Sequence, residues 1–210
     1  ADKYPDAVGL TREIVLDWCA KKPYEAQATQ CARASTLRQL AIYMDNIKLN
    51  AYVLPKGYYP TEEQYIPYVF TENELRRFFS ATDKCHYVSE CPYRHLVMPV
   101  FFRMIYSCGL RPQEARLLKT KDVDLNDGIL SIQHSKMDNS RLVPMSSALT
   151  ARCRNYAVGI GNCEWFFPGL NGKPMTAGNA YHNFRRFLWK AGISHGGRGK
   201  GPRIYDFRHT

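Results

Sequence analysis

LVMPVFFRMIYSCGLRPQEARLLKTKDVDLNDGILSIQHSKMDNSRLVPMS, residues 96–146, holds both the most apolar run of the chain and its densest set of chemically capable side chains. The apolar run Leu96–Tyr106 predicts a buried helix, which tolerates Pro99 only in its first turn, where the missing N–H has no partner to lose. Gly109 ends that helix, because glycine takes the left-handed conformation common at helix C-termini. Arg111 follows at once, and Pro112 opens a second short helix, PQEARLL, with Leu117 and Leu118 on its inner face. An arginine so placed is held by rigid elements on both sides. Thr120, Asp122 and Asp124 lead into the turn Asn126-Asp127-Gly128. Ile129–Gln133 then reads as a strand, Lys136 and Asp138-Asn139-Ser140 as its turn region, and Arg141–Met145 as the returning arm of a hairpin.

Outside this block, composition narrows the possibilities. A chain of 210 residues forms one large domain or two small ones, and 45% hydrophobic content fits a globular protein. No apolar run is long enough to cross a membrane, and ADKYPDAVGL is not a signal peptide. Seven cysteines without a disulfide-scaffold spacing point to a reducing cytoplasm. The formal net charge is +10, and it is unevenly placed. Residues 1–70 hold eight Lys/Arg against eight Asp/Glu, whereas residues 71–210 hold 21 against 11. A part this basic, with a loop as positive as Arg198-Gly199-Lys200, suits a polyanion such as DNA.

Residues 10–50 read as helices. Thr11 is placed to cap one through Cys19, with Ile14, Val15 and Trp18 inward; Thr36 is placed to cap another, with Leu37, Leu40, Ile42, Tyr43 and Ile47 supplying apolar contacts. Residues 51–69, with three prolines and little periodicity, read as an interdomain linker. Thr71 and Glu74 form a capping-box pattern ahead of Leu75, Phe78 and Phe79. Cys85, His86, Cys91 and His95 have zinc-ligand types, but the Cys-x5-Cys spacing is loose and no second cysteine pair follows. They are read as ordinary side chains near a helix start, with no metal. Further on, Ser147–Val158 reads as a helix with Leu149 inward. Asn179–Ala191 reads as a basic amphipathic helix burying Phe184, Phe187, Leu188 and Trp189, with Arg185, Arg186 and Lys190 on its polar face. The glycine-rich loop 192–203 lacks the Gly-Lys-Ser/Thr ending of a nucleotide-binding loop.

The block 96–146 resembles the catalytic domain of the tyrosine recombinases, the phage integrase family. Gly109-Leu110-Arg111, Glu114, Asp122, Lys136 and Arg141 stand at places matching that family's first motif and hairpin. The segment RIYDFRHT (203–210) resembles its second motif, usually H-x-L-R-H-T. The resemblance implies a mainly α fold with a small antiparallel β-sheet (α+β). It implies a partial helical core-binding (SAM-like) domain at 1–60, a linker at 61–70, and a catalytic domain at 71–210 that is C-terminally truncated. The implied activity is site-specific recombination or integration of DNA through a 3′-phosphotyrosyl intermediate, without cofactor. The implied partners are double-stranded DNA and, in the intact protein, a tetramer of like chains on it, at the nucleoid. A non-catalytic DNA-binding relative and a type IB topoisomerase-like enzyme are the alternatives.

Cutting a phosphodiester without metal requires fixed positive charge at the phosphate, a nucleophile, and an acid for the departing 5′-oxygen. The resemblance assigns the clamp to Arg111 and Arg208 and the acid to Lys136, and makes Glu114 and Asp122 scaffold carboxylates. Arg141, Arg185, Arg186, Arg198 and Lys200 are the candidate DNA contacts. Two departures from the family pattern stand out. Tyr205 occupies the place usually held by His, and a phenol with pKa about 10 accepts a proton poorly near neutrality. It is expected to hydrogen-bond phosphate in the same pocket. No tyrosine follows Arg208, where the family carries its nucleophile.

Overall fold

The computed structural model describes residues 3–4, 7–60, 65–133, 140–197 and 201–210. They form two compact units, Ala1–Ile66 and Pro67–Thr210. The architecture is mainly helical with one small antiparallel sheet.

The first unit holds α1 (Arg12–Cys19) and α2 (Gln27–Asn46). Thr11 caps α1, its side chain accepting the Ile14 N–H. The core is Val15, Cys19, Ala34 and Leu54, with the buried Gln30 donating its Nε2 to the Cys19 carbonyl at 2.9 Å. Four sequence expectations fail here. Trp18 is 58% exposed, because in so short a helix only Val15 and Cys19, one turn apart, share the inner face. Thr36 lies inside α2 and bonds back to the Ala32 carbonyl, so it caps nothing. Leu40, Tyr43 and Ile47 are exposed, since α2 buries small or polar residues: Gln30, Ala34 and Ala41. Nor are residues 51–60 a bare linker, for Ala51 bridges Leu10 and Leu54 enters the core.

The second unit is built on α3 (Glu72–Asp83), α4 (Arg94–Cys108), α5 (Pro112–Arg116), α6 (Ser147–Ile160) and α7 (Ala177–Lys190). Thr71 and Glu74 form the expected capping box on α3. Around α4 gather Phe78, Phe101, Phe102, Phe184, Phe187 and Phe207, all essentially inaccessible to solvent. Helix α4 starts two residues before its apolar run, on Arg94 and His95. Pro99 therefore sits in its second turn, where it leaves the His95 carbonyl without an intrahelical donor. Gly109 closes α4 in the left-handed region at φ 58°. Leu117 is exposed while Leu118 is buried, because α5 stops at Arg116 and only Leu118 continues inward. Trp189 is 81% exposed. The buried line of α7 runs through Ala180, Phe184, Phe187 and Leu188, and Trp189 lies one residue step round the helix from it.

The sheet is β1 (Val123–Asp124), β2 (Ile129–Ile132) and β3 (Arg141–Pro144), antiparallel throughout. Asp124 makes the first turn, its Oδ1 accepting the N–H groups of Asn126 and Asp127 at 2.8 and 3.0 Å. Gly128 follows with φ 69°, and a Cβ there would lie 2.8 Å from the Thr150 hydroxyl. In the β2–β3 register Ile129 faces Pro144 and Ile132 faces Arg141. Among the described residues no helix is long and apolar enough to cross a membrane.

Candidate functional site

Arg111 is fixed by the two helices that flank it. It is the N-cap of α5, directly after the Gly109 turn. Glu114, one turn into α5, reaches back. Its Oε2 accepts the Arg111 backbone N–H at 2.8 Å and its Oε1 accepts Arg111 Nη1 at 2.7 Å. From the sheet, Arg141 grips the same carboxylate with both terminal nitrogens, Nη1 to Oε1 at 2.9 Å and Nη2 to Oε2 at 2.7 Å. The Glu114 side chain is only 7% exposed.

The second arginine arrives from the last turn of the chain. A 3-10 turn, Ile204–Arg208, is anchored by the buried Ile204, Asp206 and Phe207, and Asp206 accepts the Arg203 N–H at 2.7 Å. This presents Arg208, whose Nη1 donates to the Gly109 carbonyl at 2.7 Å. A guanidinium there also meets the negative end of the α4 dipole. Thr210 secures the turn, accepting the Phe70 N–H at 3.2 Å. Tyr205, on the same turn and 39% exposed, lies near enough to Arg111 to add, after Glu114, to the rise in its pKa. Arg111, Tyr205 and Arg208 thus lie around the one Gly109–Arg111 corner.

Beside that corner a groove of about 990 Å³ is lined by Arg111, Gln113, Lys119, Lys121, Gln133 and Trp165 among others. Of the sequence-predicted residues, Lys136, Arg198 and Lys200 lie outside the described residues. Arg186 is exposed on α7, and Arg185 donates to the Tyr181 hydroxyl at 3.3 Å, with His195 on its other side at 3.4 Å. Burial and then the Arg185 charge hold the His195 pKa below its ordinary value. Sequence reading missed the Arg141–Glu114 pairing and the groove lysines Lys119 and Lys121. Among the described residues no three His, Cys, Asp or Glu side chains gather to hold a metal.

Burial disfavours the Glu114 carboxylate, yet the bonds from Arg141 and from the Arg111 backbone and side chain outweigh it. They bring the pKa from an ordinary 4.5 down to about 2. A depressed carboxyl pKa stabilises the fold above about pH 4.5 and loses that contribution as pH falls towards about 2. Through this group alone the second unit should be about 2 kcal/mol less stable at about pH 3 than at about pH 6. Denaturant midpoints at the two pH values measure it. Equal pH dependence in wild type and E114Q would show that the carboxylate is not held this way.

The sequence model of the phage integrase family matches residues 68–210, a span containing every candidate site residue. The chain belongs to that family. Two putative integrase/recombinases of Sinorhizobium fredii, y4rB and y4rE, are each 28% identical to it, over 98% and 95% of the chain and 68% and 64% of their own lengths. Tyrosine recombinase XerC of Staphylococcus carnosus is 25% identical over 71% of the chain and 50% of its own length. The chain therefore spans between half and about two thirds of these relatives. Among solved structures, the XerH site-specific recombinase in a post-cleavage complex with palindromic difH substrate aligns with a TM-score of 0.65 at 20% identity, covering 94% of the chain and 56% of XerH. The Tn1549 transposon integrase in complex with transposon right end DNA aligns at 0.65 and 15%, covering 95% and 70%. At such identities the likeness is one of fold. It agrees with the integrase-type architecture, mainly α with a small antiparallel sheet, expected from the sequence.

Proposed function

We propose that this integrase-family chain is the clamp-bearing portion of a site-specific recombinase that breaks and rejoins DNA through a 3′-phosphotyrosyl intermediate. The observation that carries the reading is the corner at Gly109, where the Arg208 side chain reaches the Gly109 carbonyl two residues before Arg111 and Tyr205 lies near enough to raise the Arg111 pKa. Two guanidiniums at one point can bind the non-bridging oxygens of a phosphate and stabilise the charge that builds as the fifth oxygen approaches. Lys136, between the two motifs in sequence, is the proposed acid for the 5′-oxygen. Tyr205 is a hydrogen-bond donor to phosphate rather than the nucleophile. In this reading residues 71–210 form the catalytic domain and residues 1–60 part of the core-binding domain. The partner is duplex DNA; of the neighbours in fold, XerH is bound to palindromic difH substrate and the Tn1549 integrase to transposon right end DNA.

The 210-residue chain should bind duplex DNA through its basic second unit, the logarithm of affinity falling with log salt by about 0.9 per phosphate contacted. It should form no covalent adduct, because no tyrosine follows Arg208 and a clamp without a nucleophile only holds its substrate. A natural chain that carries a tyrosine beyond Arg208 should become linked to the 3′-phosphate of a nicked suicide substrate. Gel shift across a salt series and adduct trapping on both chains decide the matter. Salt-independent binding, or an adduct on Tyr205, would overturn the assignment; a longer natural chain that binds without cutting would favour a non-catalytic DNA-binding relative.

A further inference from the structure

Three charged groups share one buried point. Glu114 is bonded at both oxygens by Arg141 and again at both by Arg111, through its Nη1 and its backbone N–H. Arg141 has little freedom to do otherwise. It opens β3, its backbone sits in register opposite Ile132, and its fork meets the carboxylate in the paired geometry that guanidinium and carboxylate prefer. Drawing that fork away to DNA would strand a carboxylate that is 7% exposed against Arg111.

The charge count gives the pairing its consequence. Arg111 and Glu114 alone sum to zero, so a phosphate approaching Arg111 would meet a guanidinium already neutralised. With Arg141 the group carries one net positive charge. We propose that Arg141 is a positioning residue that takes a share of Glu114, so that the carboxylate orients the Arg111 guanidinium without cancelling the charge a phosphate is to meet. The role rests on the reading of Arg111 as part of a phosphate clamp. It separates Arg141 from residues that would touch DNA directly.

A double-mutant cycle on the 210-residue chain tests it, with duplex DNA affinity measured by fluorescence anisotropy over a salt series. R141Q should weaken binding about tenfold and flatten the salt dependence by about one phosphate contact. The double variant R141Q/E114Q, which removes the anion together with its counter-charge, should recover most of that loss. Removing the stranded carboxylate would also rescue a purely structural defect, so the salt slope makes the distinction: if Arg141 served folding alone, folded R141Q would keep the wild-type slope. R141K keeps the charge without the fork and should bind within about threefold of wild type. R141K and the double variant carry the test if R141Q fails to fold. An R141Q loss that persists undiminished in the E114Q background, while R111Q also binds poorly, would show that Arg141 contacts DNA itself and would overturn its positioning role alone. Wild-type binding by R111Q would instead remove the clamp reading, and the role of Arg141 with it.

Discussion

Strand cleavage by a natural chain that carries the nucleophile should fall by about 10³-fold when Arg208 is replaced by alanine, and Arg208→Lys should recover little of it. The expectation follows from where the guanidinium is held. Its Nη1 donates to the Gly109 carbonyl at 2.7 Å, so the guanidinium is tethered at the C-terminal end of α4, and on the proposed clamp reading its other donors serve the phosphate. Charge rises on the non-bridging oxygens only as the five-coordinate state forms, and an oriented fork matches that change better than the ground state. A lysine offers one point charge and cannot hold the Gly109 carbonyl and a phosphate in a fixed plane. DNA affinity should fall far less than the cleavage rate, since the proposed clamp would make Arg208 one phosphate contact among several. Single-turnover cleavage of a suicide substrate, alongside a gel shift, separates the two. An R208A protein cutting within about threefold of wild type would remove Arg208 from the transition state.

Much of this site was legible because local rules and tertiary demands agree there. Gly109 and Pro112 punctuate the chain on either side of Arg111, and the structure keeps both boundaries. The capping box at Thr71, the Asp124 turn and the two hairpin strands β2 and β3 follow from side-chain chemistry within a few residues, whereas β1 was not foreseen. What escaped depends on contacts far apart in sequence. Nothing near Arg141 announces Glu114, 27 residues earlier, as the group it pairs with. The exposure of Trp189, Trp18 and Leu117 was misjudged for a related reason: apolar character marks a residue able to be buried, while the packing of neighbouring elements decides which ones are. In α2 the pattern of large residues misled outright, because the buried face is made of Gln30, Ala34 and Ala41. Pro99 broke a helix-start rule because the polar pair Arg94–His95 extended α4 backwards beyond its apolar run.

Phe207 is where packing and chemistry meet, and truncating it should be the most destabilising single change in the second unit. Its ring is 1% exposed, stacks on Phe70 at 4.8 Å between centroids, and meets Phe78 edge-on at 5.1 Å and Phe184 at 5.6 Å. Phe207→Ala removes that ring from the centre of an aromatic cluster whose other members are anchored on α3, α4, α7 and the segment before α3 and cannot all close the gap, a loss of about 3–5 kcal/mol. Phe207→Leu fills more of the space and should cost about 1–2 kcal/mol. The position also fixes the site, since Phe207 lies between Asp206, which accepts the Arg203 N–H, and Arg208, which reaches the Gly109 carbonyl. Without the ring the 3-10 turn loses its deepest anchor, and Arg208 and Tyr205 lose a common support. Denaturant unfolding followed through Trp165 and Trp189, which lie in the second unit, reads the stability. DNA binding under conditions where each variant is fully folded reads the placement. The leucine variant should bind almost as wild type and the alanine variant distinctly worse. A Phe207→Ala protein with an unchanged unfolding midpoint would mean that the turn is held by its hydrogen bonds alone, and that the core does not set the position of the second arginine.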